Sequence, residues 1–436
     1  MRKSRSRSDG YATGYNHGFN AGHDKGYTRG HLEGISKTLF EGTSIIIPTF
    51  NQVEYLKECI ESIRRYTPQP YELIIIDNAS DDGSAEYLKS VTGIRFKILS
   101  DNRGFAGAVN QGLMMARGTT LLILNNDSVV TSNWLGNLLR CLLSDTRIGI
   151  VGPVTNYISG DQLIDTHYTG MSEMQQFAEG YNQTDPQHWV TTERLTGFCM
   201  LLRRETFLSL GYFDEGFEVG NCEDDDYGLR ARLMGLQLII AKDTFIHHYG
   251  SVSMKSLSGR FDQVYGKNLL FYSNKWADPH RYLSLDWQKA NQLSTQDFYP
   301  TCVIVQGVGT STYWVENNSR YPISGDCGKQ AIRISQVDLR GWQLAHVISS
   351  EEVQQRSHDL QHYSSESGMS EGNLVKVDDE SIYQCKSGKL HRFINNQALA
   401  AWNIDTYTIL QHQNHQHIKP EGPPIICPPV IRADNI

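Results

Sequence analysis

The chain has 436 residues, enough for about two or three domains of average size. Asp and Glu (48) outnumber Lys and Arg (40), so the formal net charge is −8. This balance provides no overall positive field for nucleic acid or an anionic membrane. The longest apolar runs are far shorter than the roughly 18 residues that a membrane-spanning helix needs. We therefore expect no nucleic-acid partner and no integral membrane span.

The N-terminus and the cysteines bear on location. Basic residues cluster in the first ten positions but no apolar stretch follows them, so no secretory signal is predicted. The eight cysteines contain no Cys-x-x-Cys pair, which argues against a zinc site or a small disulfide-rich domain. We expect free thiols and a cytoplasmic location, with a peripheral place at the inner membrane surface as the alternative.

Residues 1–41 form an unusual leader in which glycine recurs every fourth position from Gly10 to Gly34, mostly followed by an aromatic residue or His. Each glycine costs about 1 kcal/mol relative to alanine inside a helix, so a lone helix here would be unstable. Two interpretations stay open. The leader is either a flexible tail or a helix that folds on packing, with self-association through residues 10–36.

Residues 42–290 alternate short β-branched runs with amphipathic stretches. The predicted buried strands are Ile45–Ile47, Leu73–Ile76, Arg95–Leu99 and Leu121–Leu124. This rhythm is typical of βαβ units and predicts an α/β fold with a mostly parallel sheet. Ligands bind such sheets beyond the carboxyl ends of the strands. The polar residues that follow each strand are therefore candidates for the functional site.

Residues 295–418 are predicted to be a β-rich accessory domain with two similar modules. Each module begins with alternating apolar residues, continues through a polar turn and ends in a second run of basic and apolar residues. The two modules are Ser311–Ile323 and Ser381–Ile394. The Trp residues here either pack in a core or stack on a sugar; they are Trp314, Trp342 and Trp402. Five prolines between 420 and 429 predict an extended Pro-rich tail over 419–436.

Two segments suit a nucleotide. Asp77 ends a strand, where a carboxylate can accept hydrogen bonds from a base or ribose, and the following Ser/Asp/Gly run supplies a turn and a helix N-cap. The glycines of residues 101–112 allow close backbone approach, and a helix N-terminus favours a diphosphate. The Gly-x-Gly-x-x-Gly fingerprint is absent, which disfavours a dinucleotide redox enzyme. An ordinary turn is the alternative for Asp77.

Three further segments suit a cation and a base. Oxygen ligands in Asn125–Asp127 suit Mg²⁺ or Mn²⁺, with an Asx turn as the alternative. The helix dipole explains one or two of the four consecutive acids Glu223–Asp226. Converging on one site, they would raise one another's pKa, as a general base requires. His247 and His248 follow a strand-like run; one imidazole suits a metal and the other a structural role.

Taken together in chain order, the motifs resemble the family 2 glycosyltransferases of the GT-A fold, and most nearly the rhamnosyltransferase-like branch acting on bacterial surface glycans. The resemblance covers residues 44 to about 255. The segments that carry it are IIIPTFN (45–51), IIDNASDDGS (75–84), DNRGFAGAVNQG (101–112), LLILNNDS (121–128), LTGFCMLLRRETFLSLGYFDEGF (195–217), EDDDYGLRARLMG (223–235) and IHHYGSVS (246–253).

The resemblance implies roles for individual residues. It places Asp224 as catalytic base with Glu223 beside it, and Asp127 and His247 as metal ligands, with His248 as the competing choice. The implied nucleotide-sugar pocket contains Pro48, Thr49, Asn51, Asp77, Asn78, Asn102, Gly104, Gly107, Asn110 and Asn126. The implied donor-sugar and acceptor side contains Gly197, Phe198 and Asp226, with the segment 214–217.

One departure concerns the metal. The family's Asp-x-Asp motif is replaced by Asn125-Asn126-Asp127, which leaves one anionic ligand. Metal affinity would then be weaker, or would depend on the donor diphosphate and His247. The transmembrane helices of processive members are not found, so single-sugar transfer is expected.

The expected activity is that of an inverting glycosyltransferase. The donor would be dTDP-rhamnose or a UDP-sugar, the cofactor Mg²⁺ or Mn²⁺, and the acceptor a hydroxyl of a cell-surface glycan, a lipid-linked glycan or a protein. A non-catalytic scaffold of surface-glycan assembly is the alternative. A sugar nucleotidyltransferase is disfavoured because it needs a basic Gly-rich loop where this chain has Pro48–Asn51.

Overall fold

The computed structural model describes residues 39–250, 261–283, 293–361, 369–376, 381–404, 409–411 and 421–436. The Gly-repeat leader predicted over 1–41 therefore lies outside the described residues up to position 38. The predicted boundary near 290 also lies outside them, between 284 and 292. Across the described residues, no helix combines the length and the apolar composition needed to cross a membrane.

The first part of the chain is built on an eight-stranded mixed sheet with the order β3-β2-β1-β4-β8-β6-β9-β7. Pairing is parallel from β3 to β4 and between β6 and β9, whereas β7 and β8 run against their neighbours. Its strands are β1 Phe40–Thr49, β2 Tyr71–Asp77, β3 Arg95–Ile98, β4 Gly118–Leu124, β6 Ile148–Val154, β7 Trp189–Thr192, β8 Cys199–Arg203 and β9 Gln237–Phe245. Two short strands, β5 Ser128–Val129 and β10 His247–His248, pair beside it. The predicted α/β fold with a mostly parallel sheet is confirmed.

Helices cover both faces of this sheet. They are α1 Val53–Tyr66, α2 Ser84–Ser90, α3 Gly104–Met115, α4 Trp134–Ser144, α5 Met171–Tyr181, α6 Arg204–Leu210, α7 Glu223–Leu233 and α8 Phe261–Trp276. Because successive strand residues point to opposite faces, Ile46 packs in the same cluster as Val109 of α3, whereas Ile45 packs in the same cluster as Ile60 of α1. Apolar residues on both faces explain the continuous hydrophobic runs of the central strands.

The carboxyl ends of β1, β2 and β4 lie at one edge of the sheet. The parallel register places Thr49 beside Asp77, and Ile46 beside Ile123 of β4. The polar loops that follow these strands are therefore brought together, as the βαβ pattern predicts.

The C-terminal part contains two smaller sheets. They have the orders β14-β11-β12-β13-β15, with β16 beside β13, and β19-β18-β17-β20. The strands are β11 Val303–Gln306, β12 Thr312–Glu316, β13 Ser319–Ser324, β14 Ile332–Arg333, β15 Gln343–Leu344, β16 Ile348–Ser349, β17 Leu374–Lys376, β18 Ile382–Lys386, β19 Lys389–Arg392 and β20 Leu410–Gln411. The helices are α9 Gln336–Gly341, α10 Ser350–Gln361 and α11 Asn396–Ala401. Each predicted module contains an antiparallel hairpin, β12–β13 or β18–β19.

The three Trp residues of the C-terminal part are core residues. Trp314 and Trp342 are 2% exposed and Trp402 is 1% exposed. The indole N–H of Trp402 also donates to the carbonyl of Ile426 at 2.7 Å. Because the indoles are almost fully buried, this structure gives them a packing role.

Residues 421–436 return to the first part of the chain. The backbone N–H of Val430 donates to Asp214 Oδ1 at 3.0 Å, and that of Arg432 donates to Glu215 Oε2 at 2.8 Å. Apolar residues of this segment, such as Ile425, belong to the same core cluster as Ile46 of β1. The first and C-terminal parts therefore share one hydrophobic core.

Candidate active site

Hydrogen bonds join three loops at the carboxyl edge of the sheet, those after β1, β2 and β4. Asn126 Nδ2 donates to Thr49 Oγ1 at 2.9 Å. Asn51, in a left-handed conformation with φ 58°, accepts from the N–H of Asp81 at 2.9 Å and donates its own N–H to Ser80 Oγ at 2.7 Å. These bonds fix the shape of the loop after β1. Pro48 precedes Thr49. It is buried within β1 and lies opposite Ile76 of β2.

Asp77 has a carboxylate oxygen without a protein partner. The residue is fully buried, and Oδ1 accepts the N–H of Ser80 at 3.1 Å. Oδ2 is enclosed but has no hydrogen-bond partner among the described residues. Leaving a buried acceptor unsatisfied costs about 1–3 kcal/mol, and more if it is charged. This oxygen is therefore suited to a ligand that brings its own donor.

Asn78 and Asn102 build the turn that begins α3. Asn78 Nδ2 donates to Asn102 Oδ1 at 2.9 Å and to the Gly104 carbonyl at 3.0 Å, and Asn78 Oδ1 accepts the N–H of Arg103 at 2.8 Å. Gly104 has φ +69°, and a Cβ there would lie 3.1–3.3 Å from the backbone of Val219. Glycine at this position therefore permits both the turn and the close approach of the loop before α7.

Gly107 and Asn110 lie deeper in α3 and make packing contacts. A Cβ on Gly107 would lie 2.7 Å from Cβ of Arg103. Asn110 is fully buried; its amide donates to the Phe213 carbonyl and to Glu215 Oε1, both at 2.9 Å, and accepts the N–H of Phe213. The resemblance placed both residues in the nucleotide-sugar pocket, whereas the structure commits the Asn110 amide to a tie between α3 and the segment before α7.

Asp224 lies where three elements meet. Its Oδ2 accepts the N–H of Gly197 at 2.8 Å, and its Oδ1 accepts the N–H of Asp225 at 2.9 Å. A Cβ on Gly197 would lie 3.4 Å from Cβ of Asp224 and 3.5 Å from the ring of Phe105. The start of β8, the first turn of α3 and the first turn of α7 therefore converge. Burial, and then the charge of Asp225, raise the pKa of Asp224 to about 6.

Glu223 is the second buried carboxyl of this turn. It is 5% exposed, and its Oε2 is enclosed without a hydrogen-bond partner among the described residues. Burial and the neighbouring Asp224 raise the pKa of Glu223 well above its usual range, which favours the protonated form. Two adjacent carboxyl groups thus have raised pKa values, as is common at catalytic sites.

Asp226 differs from its neighbours because protein groups occupy its carboxylate. Its Oδ1 accepts from Lys275 Nζ at 2.5 Å and from Trp276 Nε1 at 2.9 Å, and its Oδ2 accepts from Arg230 Nε at 3.0 Å. Burial would raise its pKa, but Lys275 and Arg230 hold it below the ordinary value. The resemblance implies a position on the donor-sugar and acceptor side for Asp226, whereas the structure places it inside a buried ionic cluster.

Asp127 pairs with His248. Asp127 Oδ1 and His248 Nε2 are 3.1 Å apart, while His248 Nδ1 lies 2.8 Å from the Tyr157 carbonyl. A carbonyl only accepts hydrogen bonds, so Nδ1 carries the proton of a neutral imidazole. The lone pair on Nε2 would then face the carboxylate. A proton on Nε2 or a cation held by both groups removes this repulsion.

His247, named first as metal ligand, makes other contacts. Its Nδ1 lies 2.7 Å from the Tyr168 hydroxyl, and its Nε2 is buried without a hydrogen-bond partner among the described residues. Burial and the nearby His248 lower the pKa of His247 to about 4, so its imidazole is neutral. The structure thus places the competing choice, His248, against Asp127. Phe198 stacks on His248 with ring centroids 5.2 Å apart.

The described residues do not form a complete metal site from side chains alone. Within the described ranges, no three His, Cys, Asp or Glu residues form a group that could hold a metal ion. Asp127 and His248 are therefore a pair of donors that would need further ligands from a substrate. Carboxylate oxygens combined with substrate phosphates are the usual ligands of Mg²⁺.

Sequence reasoning missed the residues of α8 that support the acidic turn. Asn268 binds the backbone of residues 218–221, and Lys275 binds Asp214 and Asp226. Both residues follow the segment that carries the family resemblance. The available signal was weak, since it consists of an amide and a cation seven positions apart on one helix.

A separate cavity of about 420 Å³ lies in the C-terminal part. It is lined by residues of both β-modules, including Cys302, Trp314, Gln384 and Asn403. None of the residues implied for the catalytic, nucleotide-sugar, acceptor or metal site lines it, although Trp314 and Trp402 do, so this cavity is separate from the candidate active site.

The first part of the chain is similar to a known protein family. Residues 44–210 match the family model "Glycosyl transferase family 2". Glycosyltransferase GlyG of Streptococcus pneumoniae serotype 4 is 28% identical over 131 residues, 29% of this chain and 44% of that protein. The O-antigen biosynthesis protein RfbC of Myxococcus xanthus is 29% identical over 227 residues, 49% of this chain and 18% of that protein. Putative glycosyltransferase EpsH of Bacillus subtilis is 24% identical over 245 residues, 54% of this chain and 68% of that protein.

Among solved structures, GalNAc-T7 in complex with UDP, GalNAc and Mn²⁺ matches with a TM-score of 0.43 and 17% identity, over 55% of this chain and 49% of that one. This chain spans less than half the length of GlyG and of RfbC. The family match and the mixed, mostly parallel sheet agree with the predicted fold. Residues 44–210 are therefore similar to the family 2 glycosyltransferases, and they lie in an α/β fold whose sheet is mixed and mostly parallel.

Proposed function

We propose that this chain is an inverting glycosyltransferase that moves a single sugar from a nucleotide-diphosphate donor to an acceptor hydroxyl. The observation that carries the proposal is the position of Asp224. Its buried carboxylate is held beside Gly197 and the first turn of α3, the turn that Asn78 and Asn102 build at the sheet edge. A base is thus held next to a loop suited to a diphosphate.

Asp224 is the general base of the proposed reaction. It removes the proton of the acceptor hydroxyl while the hydroxyl oxygen forms a bond to the anomeric carbon and the bond from that carbon to the diphosphate oxygen breaks. Attack from the face opposite the leaving group inverts the anomeric carbon, and the released nucleoside diphosphate keeps the bonding electrons. A pKa of about 6 supports this role, because the group is a stronger base than an ordinary Asp and is still ionised at pH 7.

The donor would bind along the carboxyl edge of β1 and β2. The unpartnered Oδ2 of Asp77 suits a donor group on the base or ribose. The N-terminal end of α3 provides a positive helix dipole for the diphosphate, with Arg103 at its N-cap. These features support a nucleotide-sugar donor, and dTDP-rhamnose and UDP-sugars are the donors that we propose.

We further propose a divalent cation, Mg²⁺ or Mn²⁺, held by Asp127 and His248. The facing arrangement of the His248 Nε2 atom and the Asp127 carboxylate supports this assignment. When bound, the cation would offset the negative charge of the departing diphosphate. Asp127 supplies the one carboxylate of this pair, and the donor diphosphate would supply the remaining oxygens.

The acceptor is proposed to be a cell-surface glycan, a lipid-linked glycan or a protein, and the location cytoplasmic. The name of RfbC, an O-antigen biosynthesis protein, supports a surface glycan. The alternative, a non-catalytic scaffold, is disfavoured because Asp77 and Glu223 keep buried oxygens without hydrogen-bond partners among the described residues. A scaffold has no need to retain such costly groups.

A donor screen tests the proposal. The purified chain is incubated with Mn²⁺ and, separately, dTDP-rhamnose, UDP-glucose, UDP-galactose, UDP-N-acetylglucosamine and GDP-mannose, and the free nucleoside diphosphate is quantified. We expect slow hydrolysis of a dTDP or UDP donor and none of GDP-mannose. Failure to release any nucleotide, with or without a mixture of bacterial surface glycans as acceptor, contradicts the proposal.

A further inference from the structure

The loop that leads into the acidic turn has a strained backbone. Three non-glycine residues adopt positive φ angles: Val219 at 59°, Asn221 at 86° and Cys222 at 71°. This conformation is rare for a β-branched side chain such as Val219. Such strain persists only where surrounding contacts enforce it, and it is common at functional sites. The contacts that enforce it here come from α3 on one side and α8 on the other.

On the α3 side, a backbone hydrogen bond and a close packing contact hold the strained loop. The N–H of Phe105 donates to the Val219 carbonyl at 2.6 Å, and Gly104 packs against the same residue. The strained loop therefore touches the turn that we assign to the donor diphosphate. A shift of this loop would change both the donor turn and the start of α7.

On the α8 side, Asn268 binds the loop. This residue is 2% exposed. Its Oδ1 accepts the N–H of Glu218 at 2.8 Å, and its Nδ2 donates to the carbonyls of Glu218 at 2.8 Å, Gly220 at 3.0 Å and Asn221 at 3.2 Å. One side chain thus binds both an N–H group and carbonyl groups of the backbone across the strained turn.

Lys275, seven residues later on α8, binds the segment at two more points. Its Nζ lies 2.6 Å from Asp214 Oδ2 and 2.5 Å from Asp226 Oδ1, and all three side chains are at most 1% exposed. Arg230 completes the cluster, which has two positive and two negative charges. Removing Lys275 would leave two buried carboxylates with one cation, which is strongly unfavourable.

We infer that Asn268 and Lys275 are positioning residues for the proposed transfer reaction. Neither contacts Asp224 in the structure; they act by holding residues 214–226 at three points, so that the acidic turn keeps its place against Gly197. This inference rests on the proposed function. It also gives α8 a role in the reaction, although α8 lies beyond the residues that match the family model.

The test uses the full chain and the variants Asn268→Ala and Lys275→Met, with Lys275→Arg as the conservative replacement. The matched control is Gln384→Ala. Gln384 is also a buried amide that clamps backbone, at Thr301 and Gly372 in the C-terminal part. Two measurements are made on each variant: hydrogen–deuterium exchange by mass spectrometry, and donor hydrolysis with dTDP-rhamnose and UDP-glucose.

For Asn268→Ala and Lys275→Met, we expect faster exchange of the amides in 218–226. We also expect a fall in kcat of about 10- to 100-fold with KM for the donor changed less than about threefold, because a small misplacement of a reacting group has effects of this size. Lys275→Arg should recover part of kcat. The control should alter exchange near 301 and 372 while leaving kcat unchanged.

Wild-type exchange in 218–226 for both variants, or an unchanged kcat with an active wild type, would overturn the inference. So would an equal loss of kcat in the control, because the effect would then be general destabilisation. If the wild type hydrolyses neither of these donors nor any other donor of the screen above, the proposed function fails instead. The exchange measurement then decides by itself whether α8 holds the acidic turn.

Discussion

The carboxylate of Asp224 accepts the backbone N–H of Gly197 at 2.8 Å, which joins the first turn of α7 to the start of β8. An Asn at this position keeps the size of the side chain and can still accept from Gly197, but it cannot take up a proton. We therefore expect Asp224→Asn to lower kcat for sugar transfer by about 10²- to 10⁴-fold. Nucleotide binding, measured by calorimetry, should be retained.

Asp225→Asn is the matched control, because Asp225 is the next carboxylate along the same turn and pairs with Arg194 at 2.5 Å. It should retain turnover within about tenfold of the wild type. Wild-type turnover by Asp224→Asn, or an equal loss in both variants, would contradict the assignment of Asp224 as base.

The raised pKa of Asp224 predicts a specific pH dependence. The base must be ionised, so kcat/KM should rise with pH through about 6 and level off above it. The contribution of Asp224 to the free energy of unfolding should fall as pH rises, in contrast to kcat/KM. Between the ordinary value of 3.8 and about 6, the folded protein holds a proton that the unfolded chain has lost, so this group destabilises the fold as pH rises.

Both parts of this prediction can be measured on the same preparations. Urea unfolding of wild type and Asp224→Asn at pH 4 and pH 8 should show the variant gaining relative stability at pH 8. A pH–rate profile with an acid limb near pH 4, the range of an unperturbed carboxyl, would be inconsistent with the buried state of Asp224.

The sheet and the general place of the site could be predicted from the sequence because they follow from local patterns. The apolar runs that became β1, β2 and β4 are buried on both faces, and this burial is what makes them continuous. The polar residues at the strand ends pointed to Asp77, whereas the acidic run that enters a helix, together with the family resemblance, pointed to Asp224. Neither inference needed knowledge of distant contacts.

The remaining assignments could not be made from the sequence because they depend on contacts across the chain. Asp226 stands in the same acidic run as Asp224, but Lys275, 49 positions later, determines its environment. Asn110 lies in the glycine-rich helix, yet its amide is taken by Phe213, 103 positions away. The choice between His247 and His248 likewise depends on which ring β10 turns toward Asp127.

The pairing of Asp127 with His248 predicts which imidazole affects metal-dependent binding. We expect Asp127→Ala and His248→Ala each to weaken Mn²⁺-dependent binding of UDP or dTDP by at least about tenfold, since each removes a ligand. His247→Ala should change this affinity less. Calorimetric titration with Mn²⁺, and with EDTA in its place, measures the metal-dependent part.

Comparison of the two histidine variants gives the decisive result for the metal site. His247 is also buried and in contact with an aromatic hydroxyl, so general damage to this region should appear in both variants. If His247→Ala weakens binding more than His248→Ala, the ligand is the histidine named first from the sequence. Unchanged binding in Asp127→Ala would make that residue a turn residue only.

The shared core predicts that the C-terminal part contributes to the stability of the whole chain. Trp402 is 1% exposed, contacts the tilted ring of Tyr299 with ring centroids 4.8 Å apart, and donates to the Ile426 carbonyl in the returning segment. Trp402→Ala should therefore lower the free energy of unfolding by about 3–5 kcal/mol through the cavity that it leaves.

The control is Leu143→Ala. The Leu143 side chain is 62% exposed, so this substitution should lower the free energy of unfolding by less than about 0.5 kcal/mol. Urea unfolding followed by Trp fluorescence and by far-UV circular dichroism measures both variants. A single transition shifted to lower urea is expected for Trp402→Ala, whereas an unchanged main transition would show that the C-terminal part unfolds independently of the first part of the chain.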